Sequence, residues 1–329
     1  MNWGILGHAW AVRLLQEQLV QGRSKQAYLF TGPPGVGRRT LALAMAQALN
    51  CLQPFAPATP CLTCRTCQQF KTMKHPDLSV IQADQVGGIL KVEQIREMQH
   101  RLALAPYDAH FKIALLLRFE EAHASAANAL LKTLEEPPER VVLLLTAQDS
   151  ESVLPTIASR CEVIRLRPLP YAQVEAGLQT GWEIPTEQAN LLGHISGGRP
   201  GYALRLSRNE DLLEQRRGWL DDLGLLLTAK RVTRFAYAET ITKDKNLPLA
   251  ELLQTWLTYW RDVFLLTTGA DSPLANIDRQ AEIEQLASRT TLQTARKVIQ
   301  AAEHTLQLLA KNVNSRLAME VFMLDLPFY

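Results

Sequence analysis

The sequence predicts a parallel α/β domain followed by two helical domains. Three observations support this prediction: short apolar runs alternate with helical patterns at first, two prolines end the alternation, and only helical periodicity follows. The apolar runs occupy residues 27–30, 78–81, 112–117, 141–146 and 162–166. Strands that are joined through helices are parallel and covered on both faces, so we expect residues 1–167 to form a doubly wound domain.

An opening helix is predicted before the first of these strands. Val12, Leu15 and Leu19 recur at helical spacing within residues 9–21, and Gly22 follows where a C-terminal cap is expected. This helix adds one more covering element to the α/β domain, whose sheet we expect to carry helices on both faces.

The rest of the chain is predicted to be helical throughout. Pro168 and Pro170 break the earlier pattern, and residues 168–207 form a small second domain. Its short helices are separated by Gly181, Pro185 and the turn at 197–201. Residues 208–329 form a helical bundle, because apolar side chains recur at i, i+3 and i+4 through 249–264.

Composition and the order of the apolar residues argue against a disordered, a secreted and a membrane-spanning protein. An apolar fraction of 47% is ample for packed cores, and a net charge of +2 gives no global positive field for nucleic acid. The first ten residues lack the pattern of a secretory signal, and the apolar run 247–268 is interrupted by Glu251, Arg261 and Asp262. We therefore expect a cytoplasmic protein without a membrane segment.

Residues 27–50 have the order strand, glycine-rich loop and helix that a phosphate-binding loop requires. The glycines that would turn successive N–H groups toward one anion are Gly32, Gly35 and Gly37. The consensus continues with Lys and then Ser or Thr, but this chain has Arg38 and Arg39. A guanidinium has no lone pair for Mg²⁺, and Thr40 lies about 100° further around the helix. We expect weak nucleotide binding without turnover, or a loop that is kept for its fold.

The acidic pair of a working ATPase is also displaced. Such enzymes end their third core strand in Asp-Glu, which hold the metal and polarise water. An ungapped alignment from residues 127–138 places Leu117 and Arg118 there. Glu120 and Glu121 could serve only if the intervening loop were shorter, and we expect them to be a solvated pair at a strand end.

Four of the five cysteines form a predicted metal site. They are Cys51, Cys61, Cys64 and Cys67, and the two-residue spacings let neighbouring thiolates converge on one tetrahedral ion. Four thiolates fill the coordination sphere of zinc, so the predicted zinc is structural. An iron–sulfur cluster and free thiols in a reduced cytoplasm are the alternatives. Cys161 lies far along the chain and is expected to be an ordinary core residue.

Together these features resemble the clamp-loader branch of AAA+ proteins. A phosphate loop is followed by four cysteines, then by the string ANALLKTLEEPP, and then by Ser159-Arg160-Cys161. The string is highly specific for the gamma/tau and delta prime families of bacterial DNA polymerase III, and the similarity extends over about 205 residues. The resemblance implies an AAA+ sheet domain with a zinc-binding insertion at 51–67, a lid at 168–207 and an oligomerisation collar at 208–329.

The resemblance also implies a role for Arg160. In this family the Ser-Arg-Cys motif places an arginine at a subunit boundary, where it reaches the ATP of the neighbouring protomer. Motor subunits also carry a lid arginine that faces their own nucleotide, but the aligned position here is Gly201, with Arg199 two residues earlier. The implied combination is a degraded ATP site and a retained arginine finger.

The partners that the resemblance implies are the gamma/tau and delta subunits, with the sliding clamp and primed DNA engaged through the complex. The implied function is that of a delta prime-like platform that supports ATP-dependent loading of the clamp. Two other functions stay open: an active gamma/tau-like ATPase that uses Arg38 with Glu120 or Glu121, and a zinc-dependent adaptor that binds nucleic acid.

Overall fold

The computed structural model describes residues 3–244, 247–311 and 313–329. These residues form two compact units. The first comprises the described residues up to Glu183 together with Gly198–Tyr202, and the second comprises Ile184–Gly197 and Ala203–Tyr329. The three-domain division, with boundaries after 167 and 207, stays a prediction.

The first unit contains a parallel sheet in the order β2-β3-β4-β1-β5. Its strands are β1 (Ala27–Thr31), β2 (Leu78–Ile81), β3 (Lys112–Leu116), β4 (Val141–Ala147) and β5 (Glu162–Arg165). Each strand lies within one residue of the apolar run that predicted it. The predicted fold class, a parallel sheet with helices on both faces followed by helical segments, is confirmed.

Seven α-helices accompany the sheet. They are α1 (Ala9–Val20), α2 (Arg38–Asn50), α3 (Arg65–Lys71), α4 (Val92–Leu102), α5 (Ala124–Glu135), α6 (Pro155–Ala158) and α7 (Tyr171–Trp182), with a 3₁₀ turn at Phe119–Glu121. Gly22 follows α1 with a φ of 64°, as its predicted capping role requires. Gly181 was expected to separate helices, but α7 continues through it and ends where Glu183 adopts a φ of 56°.

Alternate side chains of the strands pack on opposite faces of the sheet. Tyr28 and Phe30 of β1 are buried in a core with α1 and α2, whereas Ala27 and Leu29 are buried in a second core with α4 and α5. Because β1 is covered on both faces, all five of its residues are buried. This packing fixes the two ends of the strand, where the candidate sites lie.

The regular elements described in the second unit are helices. They are α8 (Thr186–Ile195), α9 (Pro200–Ser207, which begins in the first unit), α10 (Glu210–Thr228), α11 (Arg231–Lys243), α12 (Leu249–Thr267), α13 (Gln280–Ala287), α14 (Leu292–Ala310) and α15 (Ser315–Asp325), with a 3₁₀ turn at Ile277–Arg279. Among the described residues, no helix combines the length and apolarity that a bilayer crossing needs.

Arg234 and Asp262 are two of the buried charged side chains in the described part of the second unit. Arg234 donates to the carbonyls of residues 226 and 227 and to those of residues 323, 326 and 327, which end α10 and α15. Asp262 accepts from the backbone N–H groups of Ala275 and Asn276. Buried charges need several partners of this kind, so these contacts fix how the chain terminus and the loop after α12 pack.

Candidate functional site

The phosphate-binding loop has the backbone geometry that its glycines predict. It connects β1 to α2, which begins at Arg38. The φ angles are 143° at Gly32, 84° at Gly35 and 114° at Gly37, in a region that side chains with a Cβ rarely adopt. Gly32 also leaves no room for a Cβ beside the carbonyl of Leu166. The structure therefore brings the three glycines and the start of α2 together as predicted.

Other segments of the first unit pack directly on this loop. The Gly201 N–H donates to the carbonyl of Gly35 at 2.8 Å, and a Cβ on Gly35 would lie 2.8 Å from the Tyr202 nitrogen. On another side, His8 Nε2 donates to the carbonyl of Val36 at 2.9 Å. Burial lowers the pKa of His8, which favours the neutral ring. The loop is therefore held by the chain's own groups.

The residues after the last glycine differ in their exposure. Arg38 is partly buried, and its Nη1 has no hydrogen-bond partner among the described residues. Burial lowers the pKa of Arg38, while Glu120 opposes this shift and Arg118 adds to it. Arg39 and Thr40 are both exposed. The first turn of α2 thus has no lysine, and its hydroxyl is on the third residue, Thr40, while Arg39 holds the position where the consensus has Ser or Thr.

The carboxylates after β3 are not the solvated pair that the sequence suggested. Leu117 is buried in the core, and Arg118 has a left-handed backbone with a φ of 50°. Glu121 accepts from Arg118 Nε at 2.8 Å and from the Gly87 N–H at 2.8 Å. Glu120 is partly buried, and its Oε2 has no hydrogen-bond partner among the described residues.

Charged side chains near Glu120 affect its pKa, and one of them is Arg38, which follows the phosphate loop. Burial raises its pKa, and the positive charges of Arg38 and Arg118 oppose this shift while Glu121 reinforces it. The expectation of a solvated pair was wrong because both side chains are partly buried and Glu121 is paired with Arg118. Glu120 and Arg38, which both lie within the described residues, therefore influence each other electrostatically, without forming an ion pair.

The lid arginine of a motor subunit has no counterpart at its aligned position. Gly201 occupies that position and contacts the loop through its backbone. The guanidinium of Arg199 lies over the ring of Tyr202, 4.5 Å from its centre. This stacking is a cation–π contact, which gives Arg199 a packing role beside the loop.

Arg160 lies at the amino ends of the strands, whereas the phosphate loop lies at their carboxyl ends. It follows α6 and comes just before β5, whose residue Glu162 is level with Tyr28 of β1. The phosphate loop begins at Gly32, four residues further along β1. At about 3.3 Å per residue the length of β1 separates the two by about 13 Å.

Two contacts hold the Arg160 side chain. Nη1 donates to the Thr156 carbonyl at 2.9 Å, and Nη2 lies 2.8 Å from Oε1 of Glu135. The guanidinium stays 37% exposed. It lines a cavity of about 330 Å³ together with Ser159 and Cys161. The three residues of the Ser-Arg-Cys motif are thus adjacent, and burial raises the pKa of the Cys161 thiol to about 12.

The four predicted metal ligands converge. The Sγ atoms of Cys51, Cys61, Cys64 and Cys67 all lie within 4.8 Å of one another. In a tetrahedral zinc–thiolate site, sulfur atoms are about 3.8 Å apart, so the arrangement fits one ion with a small contraction. Backbone N–H groups of Cys61 and Cys64 donate to the sulfurs of Cys51 and Cys61 at 3.2 Å. The cluster could hold a metal ion.

Burial acts against ionisation of the thiols, and backbone N–H donors act in favour of it. Burial opposes ionisation of Cys61, but N–H donors from Cys64 and Thr63 outweigh it and lower its pKa to about 6. Burial raises the pKa of Cys67. Thiolates in such a site are stabilised by the bound metal, whose positive charge offsets their burial.

The cysteine segment packs against the elements that carry the phosphate loop. Gln47 of α2 donates to the Cys67 carbonyl at 2.7 Å. The Trp3 indole N–H donates to the carbonyl of Ala58 at 2.9 Å, within the loop between the first two cysteines. The cysteine segment is therefore part of the first unit's structure.

Glu135 and His8 were missed by sequence reasoning. Glu135 was visible only as part of a family string, although a carboxylate in the last turn of a helix is unfavourable and can signal another role. His8 carried no local signal, because its partner Val36 is 28 residues away. Only the fold brings either residue to its partner.

Two family models match this chain, one over its first half and the other over its last third. A family model described as "DNA polymerase III, delta subunit" matches residues 7–170, and one described as "DNA polymerase III, delta subunit, C terminal" matches residues 210–327. The chain is 31% identical to DNA polymerase III subunit delta prime of Pseudomonas aeruginosa, covering 77% of this chain and 75% of that one. The chain belongs to the delta prime family of DNA polymerase III subunits.

A second delta prime subunit matches most of the chain, whereas a tau subunit matches about half of it. The delta prime subunit of Bacillus subtilis is 29% identical over 96% of this chain and 94% of its own length. The tau subunit of Escherichia coli is 35% identical over 175 residues, which are 53% of this chain and 27% of tau. The resemblance to delta prime over most of the chain, and to tau over its first part, is confirmed.

Proposed function

We propose that this delta prime family member is a platform subunit of a clamp loader, which supplies Arg160 to the ATP of a neighbouring subunit and does not hydrolyse ATP itself. The observation that carries the proposal is the position of Arg160. It lies at the amino end of β5, whereas the chain's own phosphate loop follows the carboxyl end of the adjacent, parallel β1. A guanidinium at that end of the strands is separated from the chain's own loop by the length of β1, which supports a role at another protomer's nucleotide.

The proposed finger would act by charge. An arginine that is supplied across a boundary offsets the negative charge that builds on the transferred phosphoryl group, and its planar fork suits this task better than lysine. The exposed guanidinium and the cavity beside it leave room for a partner's phosphates. Ser159 and Cys161 hold the turn on which Arg160 stands.

The chain's own pocket is poorly suited to hydrolysis. Mg²⁺ is usually held by a hydroxyl at the start of the helix after the loop, and Arg39 offers no lone pair there. Leu117, at the end of β3, is buried and apolar. Gly201 and Tyr202 pack on the loop. These features together support an ATP site that does not turn over.

The metal site is proposed to hold one structural Zn²⁺. Cys51, Cys61, Cys64 and Cys67 would be its ligands, and the bound ion would supply four strong bonds that tie the loop after α2 to α3. Four cysteine ligands leave no position for a reactive water. The role would therefore be to stabilise the first unit.

The helical residues 208–329 are proposed to be the oligomerisation domain, beside a lid at 168–207. One face of α15 is buried through Met319, Phe322 and Met323. On another, Leu317 is 57% exposed, Val321 48% and Leu324 52%. Exposed apolar side chains at this spacing form a continuous stripe, which is typical of a surface that packs against another helix.

The proposed neighbours are gamma/tau and delta subunits, with the sliding clamp and primed DNA engaged by the whole complex. The similarity to tau over the first part of the chain supports this choice, because related sheet domains can assemble as successive members of one ring. The printed names of the relatives place them in DNA polymerase III.

Reconstitution tests this function. A mixture of cognate gamma/tau, delta, clamp, primed DNA and ATP should load the clamp efficiently only after this chain is added. A chain carrying Leu317→Glu and Val321→Glu should stay outside the complex, because charges on the stripe oppose its burial. The matched control Leu225→Glu replaces another exposed leucine, which lies on α10. Equal loading with and without the chain would contradict the proposal.

A second function is favoured by one observation, the position of Glu120. Glu120 is partly buried close to the end of β3, and its charge and that of Arg38 affect each other's pKa, so the two could replace the usual acidic residue and lysine of an ATPase. An active ATPase of this kind would lose its turnover when Glu120 is replaced by Gln. A platform subunit would give the same rate before and after that change.

A further inference from the structure

The ion pair between Arg160 and Glu135 joins two segments that are 25 residues apart in sequence. Glu135 is the last residue of α5, and Pro137 and Pro138 follow it and prevent the helix from continuing. Arg160 stands on the turn after α6. Because both backbones are held by turns and by packing in the second sheet core, the two side chains meet in a defined place.

Helix stability does not account for a carboxylate at this position. A negative charge in the last turn of a helix is disfavoured by the helix dipole, which places partial negative charge at that end. Both Glu135 and Glu136 carry this disadvantage. Of the two, it is Glu135 whose Oε1 lies 2.8 Å from Arg160 Nη2. The contact with Arg160 gives Glu135 a role that α5 itself does not explain.

The Arg160 side chain is already ordered by contacts within its own chain. The bonds to Thr156 and Glu135 use two of the five N–H groups of the guanidinium. A free arginine side chain has considerable rotamer entropy, which is lost when the side chain is ordered at a reaction site. Contacts that order the side chain beforehand reduce that loss, as preorganised sites do in general.

We propose that Glu135 is a positioning residue, which holds the Arg160 guanidinium in the orientation that it needs to meet the phosphates of a neighbouring subunit. The inference rests on the proposed finger role of Arg160. Glu135 touches neither the nucleotide nor the reacting atoms, and it acts only through Arg160. Its carboxyl oxygen matters as a hydrogen-bond acceptor more than as a charge.

The test uses the reconstituted complex and the part of its ATPase rate that depends on Arg160, defined as the wild-type rate minus the Arg160→Ala rate. Glu135→Ala should lower the kcat of this part about two- to fivefold, the range expected for an exposed ion pair, while KM for ATP and complex assembly stay unchanged. Glu135→Gln keeps the acceptor oxygen and should retain most of the rate. Glu136→Ala is the matched control and should have no effect.

A double-variant comparison separates positioning from a structural role. In the Arg160→Ala background, Glu135→Ala should change nothing further, because its only action is through Arg160. An unchanged or increased rate for Glu135→Ala alone would overturn the inference, as would an equal loss in both backgrounds. If Arg160→Ala itself left the rate unchanged, the proposed finger role would fail and this inference would fall with it.

Discussion

Replacing Arg160 by alanine should abolish most turnover at the ATP site that it faces. An arginine finger contributes about 10³-fold or more to phosphoryl transfer, so the remaining rate of a reconstituted complex should come from sites that other subunits complete. Arg160→Lys should restore little of the loss, because a lysine lacks the planar fork. The measurement is the steady-state rate of phosphate release by the complex with clamp and primed DNA present.

The same variant should assemble normally. Arg160 is partly exposed, and an exposed ion pair contributes at most about 1 kcal/mol to stability. The matched control is Arg23→Ala, which removes another exposed arginine of the first unit and should leave the rate unchanged. An Arg160→Ala complex with full ATPase activity would remove the finger from the account.

Loss of the metal should destabilise the first unit. A ligand present at about 1,000 times its Kd stabilises a folded protein by about 4 kcal/mol. For a unit of 150–250 residues, this corresponds to a fall in Tm of about 8–16 °C when the metal is removed. Cys61→Ser should give this fall, and so should a strong chelator added to the wild-type chain. Calorimetry and elemental analysis by mass spectrometry measure the two quantities, with one zinc per wild-type chain expected.

The fifth cysteine provides the control for this prediction. Cys161 is separated from the cluster and lies beside Arg160, so Cys161→Ser should keep the zinc and most of the stability. If the elemental analysis found iron instead of zinc, the four cysteines would hold an iron–sulfur cluster. If Cys61→Ser bound one zinc per chain and had the same Tm as the wild type, the prediction of a four-cysteine site would be wrong.

The sheet could be predicted from sequence because parallel strands that are buried on both faces are continuous apolar runs. The runs at 27–30 and 141–146 became β1 and β4 almost residue for residue. The helix limits were harder to predict: Gly181 lies inside α7, since one glycine costs a helix only about 1 kcal/mol and packing can outweigh it.

The cysteine cluster could also be predicted, because three of its ligands are neighbours in sequence and their spacing is typical of zinc sites. The environment of Glu120 could not. Whether this carboxylate is solvated depends on the direction of a three-residue turn and on Arg38, which is 82 positions earlier in the chain. Periodicity carries no information about such contacts.

The pairing of Arg160 with Glu135 shows the same limit. Each residue stands in a recognisable string, but their contact depends on the packing of α5 against α6. The buried Arg234 of the second unit is a stronger case, because it is satisfied by backbone carbonyls near the chain terminus and sequence contains no signal for such partners.

The central claim, that this chain acts across a boundary and not through its own ATP site, is tested most directly by the ATPase rate of the highly purified chain alone with Mg·ATP. We expect no multiple turnover above the rate of an Arg38→Ala variant, since Arg39 holds the position of the usual Mg²⁺-binding hydroxyl and offers no lone pair. Multiple turnover that disappears in Arg38→Ala would contradict it.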